Sequence, residues 1–519
     1  ELFIGIDSST QSCKIVIINP ADAKIEYVDA VNYDRDLPQY NTREGVIPAS
    51  QKGLSEADPH MWLDALEMLF RRLSDNRFLL RNVKAVSVSG QQHGLVSLDK
   101  QGNLSRPRSK LWNDNSTAEE CELLTEAVGG VENMIREVCN TQRTGYTAGK
   151  IFHMVRHEPE AARKTTTFFL VHNYINWFLT GGIRIMEPGD VSGMALRFPG
   201  ADEWSDKVCK AISPDLKRKL PPVKPSDQMI GPISATLAEK YGFDQSCLID
   251  AGCGDNMYGA VGTGNIHSGI VTISLGTSGT AYTIFEEPFV DEKGEIASFC
   301  DSTGKYMPLL CVSNLANGYN RTLEMFNIDH DEFNRMINET PPGNKGKFIL
   351  PWFSGERTPD LPHAAPVYFG FSLDDFSAPI LCRAVLEGHI LNLWDGYRRM
   401  PVAAREIRLT GGLSKSDAWC QTIADIFESS TVPVQGEGAA LGAAMHAVWV
   451  YYKQNDPEFS LDLLTEKFVL LEENRRKNPQ NSESYKKMKF AFSELSSRIR
   501  KPAGRSDPFA LLTDMNESV

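Results

Sequence analysis

The chain has 519 residues, enough for two large domains or three ordinary ones, and its 41% hydrophobic and 23% charged residues are typical of a globular protein with a sizeable core. A formal net charge of −13 excludes a broad basic surface, and with it nucleic-acid or anionic-membrane binding as the main activity. Ten scattered cysteines, without a CxxC pair or tight His/Cys clustering, indicate neither a zinc site nor a disulfide framework; with no basic leader or apolar run before the strand-like start at residues 2–6, a cytoplasmic protein is expected.

In chain order, residues 3–6 and 14–18 read as strands around the polar turn Asp7-Ser8-Ser9-Thr10-Gln11-Ser12, a β-hairpin with a hydroxyl-rich tip. Asp58-Pro59 is a good cap and first-turn pair for a helix with the apolar stripe Trp62, Leu66, Leu69, Phe70 and Leu73, and residues 83–88 follow as a strand. The proline-rich stretch 221–225 reads as a loop within the first half. The hairpin design then returns: residues 270–275, the tip Gly276-Thr277-Ser278-Gly279-Thr280, and residues 281–285. Thr10 and Thr277 are separated by about half of the chain.

Downstream come a helix near 379–399, a strand at 406–410, the turn Gly411-Gly412-Leu413-Ser414 and a helix through Trp419, Ile423, Ile426 and Phe427. The longest apolar stretch, 439–452, falls short of the roughly 20 residues that span a bilayer. A last helix near 482–500 precedes a polar tail, with order expected to end near 501–504. Two similar hairpins, each opening a run of alternating strands and helices, predict a duplicated α/β architecture with domains at 1–251 and 252–500 and a tail at 501–519.

Several signatures are absent. His157-Glu158-Pro159-Glu160-Ala161 lacks the second histidine of a zincin, Gly343 to Phe348 lacks Walker A spacing, Gly252-Cys253-Gly254 lacks the third glycine of a dinucleotide fingerprint, and no Gly-x-Ser-x-Gly elbow offers a nucleophile. The two hairpin tips remain: glycine and hydroxyl residues let backbone amides and side-chain OH groups approach phosphate oxygens closely. Either tip alone is an ordinary turn; as a facing pair they would clamp a polyphosphate. Asp7, at the end of the first strand, either stabilises its turn or holds Mg²⁺, through water because that ion dehydrates reluctantly.

The ordered set Gly5-Ile6-Asp7-Ser8-Ser9-Thr10, Ser89-Gly90-Gln91-Gln92-His93-Gly94, Leu111-Trp112-Asn113-Asp114, Gly252-Cys253-Gly254-Asp255-Asn256, Ser274-Leu275-Gly276-Thr277-Ser278-Gly279, Ser354-Gly355-Glu356-Arg357-Thr358-Pro359 and Thr410-Gly411-Gly412-Leu413-Ser414-Lys415-Ser416 resembles the FGGY carbohydrate kinases over about residues 1 to 450. The resemblance implies the actin-like sugar-kinase fold, two ribonuclease H-like domains flanking a deep cleft, with ATP and Mg²⁺ as cofactors. It makes Asp255 the general base, Thr10 and Gly276-Thr277 the phosphate turns, Gly411, Gly412 and Ser416 the adenosine pocket, and Gln92, His93 and Asn256 the sugar contacts. The Gly-Gln-x-His-Gly loop is similar to that of the branch that phosphorylates D-xylulose rather than glycerol. Oligomeric state is open, a homodimer included.

Three positions depart from the family pattern: Ser9 for glycine, Gln92 for methionine and Cys253 for glycine. Ser9 demands a turn without positive φ there, and Gln92 offers an amide to a sugar hydroxyl. Asp255 also suits the cap of the following helix, whose dipole is expected to keep it ionised. Three other readings compete: a kinase for another ketose or polyol, such as ribulose or L-xylulose; an actin-like or chaperone-like ATPase, which would lack the apparatus around Gln91-Gln92-His93 and Asp255-Asn256; and a non-catalytic sugar sensor on this fold, which would lack the base that Asp255 supplies.

Overall fold

The computed structural model describes all residues except 77, 79, 437, 501–508 and 510–519, so nearly all of the polar tail lies outside the described residues. Strand β1 (Leu2–Ser8) buries Phe3, Ile4 and Ile6 completely and pairs antiparallel with β2 (Ser12–Asn19), which pairs antiparallel with β3 (Lys24–Asn32). Helix α1 (Pro59–Asp75) starts where the Asp58 side chain accepts the His60 amide, and its expected stripe of Trp62, Leu66, Leu69, Phe70 and Leu73 is wholly buried. Next comes β4 (Val83–Gly90), parallel to β1. Helices α2 (Ala118–Val128) and α3 (Thr147–His157) pack against each other before β5 (Met229–Pro232), β6 (Leu248–Asp250) and β7 (Cys253–Gly254) complete the sheet. Its order is β3-β2-β1-β4-β6-β5, with β7 also pairing with β4.

Helix α4 (Asp255–Gly262) leads into the second half, where β8 (Ile270–Leu275), β9 (Gly279–Thr283) and β10 (Leu309–Val312) form another antiparallel meander. Helix α5 (Ala378–Tyr397), β11 (Glu406–Thr410), α6 (Asp417–Phe427), β12 (Ser430–Gln435), α7 (Gly438–Lys453), β13 (Leu470–Leu471) and α8 (Ser482–Ile499) follow. The sheet order is β10-β9-β8-β11-β12-β13. In both sheets a three-stranded meander is extended by two parallel strands and closed by an antiparallel edge strand, so the duplicated hairpins head duplicated sheets.

Helix α7 joins the halves. It follows the second sheet in sequence yet packs on β1, β4 and α4, which explains the apolar run at 439–452. The contact is backbone to backbone: a Cβ on Gly5 would sit 2.0 Å from the Ala440 carbonyl oxygen, and one on Gly442 would sit 1.9 Å from that of Tyr258. A buried polar chain crosses the same seam. His446 of α7 lies with Nδ1 2.8 Å from Asp250 Oδ2 and Nε2 2.8 Å from the Ser302 carbonyl, while the Tyr258 hydroxyl, 3.1 Å from Nδ1, accepts the Ser87 hydroxyl. Both ring nitrogens of His446 thus face oxygen atoms; burial pulls its pKa down, but the Asp250 hydrogen bond and charge outweigh it and the net shift is upward. No helix among the described residues is long and apolar enough to cross a membrane.

Candidate active site

Strand register assembles the first cluster. Asp7 is level with Ser89 across β1 and β4, Ser8 with Gly90, and Gly254 with Gly90 across β7 and β4. Three parallel strands therefore end at one edge, and the chain leaving them delivers Asp7 to Thr10, Gln91 to His93, and Asp255-Asn256 to the same place, the carboxyl edge where open α/β sheets bind ligands.

Asp7 accepts the Ser89 hydroxyl at 2.7 Å on Oδ1. Enclosure by protein pushes its pKa up to about 6, against the Ser89 hydrogen bond and the Lys14 charge. Asp255 is pushed further, to about 8, first by burial and then by the negative charges of Asp7 and Asp190; the amides of Asn256 and of Asp255 itself pull the other way. This corrects two expectations. Gly254, not Asp255, is the cap, with Asp255 the first helical residue, and the amides of an eight-residue helix do not outweigh desolvation beside like charges. Two carboxylates with raised pKa values at a partly open strand edge, one of them raised in part by the other's charge, are an oxygen donor set that a divalent cation relieves, so Asp7 and its surroundings fit Mg²⁺.

The Gln92 amide bridges toward Asp255: its Oε1 accepts Asn256 Nδ2 at 2.6 Å, and the same Nδ2 donates to Asp255 Oδ1 at 3.1 Å. Gln92 Nε2 is buried without a hydrogen-bond partner, an unsatisfied donor of the kind that a ligand oxygen completes. Gly254 leaves room for this side chain, since a Cβ there would lie 2.8 Å from Gln92 Cγ.

His93 is held at φ 65°. Its amide donates to both Asp190 carboxylate oxygens at 3.2 Å, and its carbonyl accepts Thr147 Oγ1 at 3.1 Å and Lys150 Nζ at 2.7 Å. The ring packs edge-on against Tyr146 and near Phe299, and Gly193 lets it lie close, a Cβ there falling 2.0 Å from Cε1. Burial lowers the His93 pKa in spite of Asp190, which keeps the imidazole neutral near pH 7. Lys150, also bonded to the Gly145 carbonyl at 2.8 Å, is pushed down to about 7 by burial.

Thr10 Oγ1 accepts Trp112 Nε1 at 2.9 Å, and Gln91 pins the turn by donating to the Ser8 and Ser9 carbonyls. Ser9 avoids positive φ, its amide and hydroxyl both reaching the Ser12 carbonyl at 2.9 and 3.0 Å.

A second group forms at the matching edge of the other sheet. Ser274 is level with Thr410, so Gly276-Thr277 and Gly411-Gly412 leave adjacent parallel strands together. Gly411 needs φ +84° and sits on the Leu275 carbonyl; beside Gly412 a Cβ would meet nothing within 4 Å, and both glycines and Thr277 face solvent. Ser416 Oγ donates to Asn334 Oδ1 at 3.2 Å. Among the described residues no side-chain hydrogen bond ties this group to the first; between them the buried Tyr282 of β9 has its phenol pushed up by burial and by the Asp255 charge.

Reading the sequence missed Asp190, Thr147, Lys150, Tyr146 and Gly193. The stretch Glu187-Pro188-Gly189-Asp190-Val191-Ser192-Gly193 carries turn chemistry, but only the fold shows that it faces His93.

Two family models match the chain: the N-terminal domain of the FGGY family of carbohydrate kinases over residues 2–262 and its C-terminal domain over residues 271–451. The chain belongs to the FGGY family of carbohydrate kinases. It is 35% identical to the xylulose kinase of Haemophilus influenzae over 93% of this chain and 96% of that protein. The crystal structure of xylulose kinase from Bifidobacterium adolescentis superposes with a TM-score of 0.80 at 25% identity, covering 95% of this chain and 99% of that one; that of Plasmodium falciparum glycerol kinase with ADP gives 0.81 at 18%, covering 96% and 98%. The fold is thus the two-domain actin-like sugar-kinase fold expected, and this FGGY kinase transfers a phosphoryl group to a carbohydrate.

Proposed function

We propose that this FGGY kinase phosphorylates D-xylulose to D-xylulose 5-phosphate with ATP and Mg²⁺. The observation that carries this is the hydrogen-bonded row Gln92, Asn256 and Asp255, which leaves an unsatisfied amide donor beside a carboxylate at the carboxyl edge of the first sheet. The curated relatives named xylulose kinase support the choice of sugar.

In this reading Gln92 Nε2, His93 and Asn256 orient the sugar, and Asp255 accepts the proton of its terminal 5-hydroxyl as that oxygen attacks the γ-phosphorus. Thr10 and Gly276-Thr277 donate to the phosphates, while Gly411, Gly412 and Ser416 receive the adenosine. Asp7 would hold the cation, which supplies charge neutralisation on the transferring phosphoryl group. Asp255 must be ionised to act as a base, so positive charge beside Asp7 lowers the raised pKa of Asp255 toward the working range.

The test is ADP release measured over a panel of pentuloses, hexuloses and polyols. D-xylulose is expected to give the highest kcat/KM, with slow ATP hydrolysis in the absence of sugar. A polyol or ribulose turned over better would move the assignment within the family, and full-rate ATPase activity without sugar would favour the actin-like ATPase reading.

A further inference from the structure

Remote from the strand edge, α2 and α3 bring three ligand-type side chains together. His153 and His157 are four residues apart on α3, on one face of the helix, with ring centroids 4.6 Å apart. Glu120 of α2 faces them, its side chain almost fully buried, with Oε1 2.9 Å from His157 Nε2. One ligand atom from each residue lies within 4.8 Å of the other two. His153 Nδ1 is buried without a hydrogen-bond partner.

We propose that Glu120, His153 and His157 form a binding site for a divalent late transition metal of the zinc class. Two imidazoles and one carboxylate are a donor set for such an ion, and metal–ligand bonds of about 2.0 to 2.1 Å in a tetrahedron place ligand atoms roughly 3.3 Å apart. The half-exposed His157 leaves the fourth position open to water. Arg156 now shares Glu120, its Nη1 2.5 Å from Oε1, and its Nη2 already lies 2.8 Å from Glu119, so the guanidinium keeps a carboxylate partner when the metal takes Glu120. Magnesium is not the ion this site suits, since it prefers an octahedral shell of oxygens. A metal here would tie α2 to the last turn of α3, the helix whose first turn holds Thr147 and Lys150 on the His93 carbonyl.

Cobalt(II) is the probe, because tetrahedral coordination gives it visible ligand-field absorption and thiolate ligation would add an intense sulfur charge-transfer band. Titration of the full chain is expected to give one equivalent of tetrahedral cobalt without the thiolate band, displaced by Zn²⁺. Affinity is expected to fall about a hundredfold in His157→Gln and in His153→Gln, each checked for native circular dichroism. The half-exposed position of His157 makes His157→Gln the milder change to the fold. Absence of the tetrahedral band, a thiolate band, or unchanged affinity in His157→Gln would overturn the proposal.

Discussion

The burial of Asp255, with the charges of Asp7 and Asp190 beside it, has a cost that stability measurements can read. The fold moves the pKa of Asp255 from 3.8 to about 8, so it favours the protonated carboxyl. That contribution is fully present below the unfolded pKa and is lost as pH rises through the folded one, so between about pH 4 and pH 8 the ligand-free protein loses stability through this group. At about 1.36 kcal/mol per unit, the loss by pH 7 is on the order of 4 kcal/mol, and by about pH 4.5 only about 1 kcal/mol. Local relaxation reduces both figures.

Asp255→Asn removes the ionisation and retains the shape. The variant is expected to be more stable than wild type by about 2 to 4 kcal/mol at pH 7, seen as a Tm higher by several degrees, with the gap narrowing to about 1 kcal/mol or less near pH 4.5. Mg²⁺ should narrow the gap at pH 7 by stabilising the wild type more than the variant. Thermal melts of both proteins at the two pH values, with and without Mg²⁺, provide the assay. A variant no more stable at pH 7, or a gap that ignores pH, would refute the reasoning.

Gln92→Met leaves Asn256 Nδ2 without its 2.6 Å acceptor and removes the unsatisfied donor; at about 1 to 3 kcal/mol per buried polar group, a roughly 5- to 150-fold rise in sugar KM is expected, read by steady-state kinetics. Lys150→Met deletes two donors, to the His93 and Gly145 carbonyls, and is expected to raise sugar KM more than it lowers kcat, with KM for ATP unchanged. His446→Leu leaves Asp250 as an unpaired buried carboxylate and is expected to cost about 3 to 5 kcal/mol, measured as a fall in Tm across the joint between the halves.

What the sequence made legible was local. The two hairpins, the capped helix after Asp58 and the Gly411-Gly412 turn announce themselves through alternation, capping and glycine placement within about ten residues, and all appear at the expected positions. Asp190 and Lys150 were illegible because nothing near them in sequence requires a buried charge; each gains its place by reaching His93 from a segment more than fifty residues away. The helix at Asp255 shows the opposite failure. Local reasoning correctly found a helix N-terminus and inferred a lowered pKa, yet the burial and the neighbouring carboxylates that reverse the sign come from β1 and from the segment around Asp190. The apolar run at 439–452 likewise gave no hint that α7 returns to seal β1 of the first sheet.

Turnover of Asp255→Asn tests most directly whether Asp255 accepts the proton of the sugar hydroxyl. With the variant folded and still binding sugar and nucleotide, kcat is expected to fall by about 10²- to 10⁴-fold, the usual loss for a positioned general base. Activity within a few-fold of wild type would contradict that role.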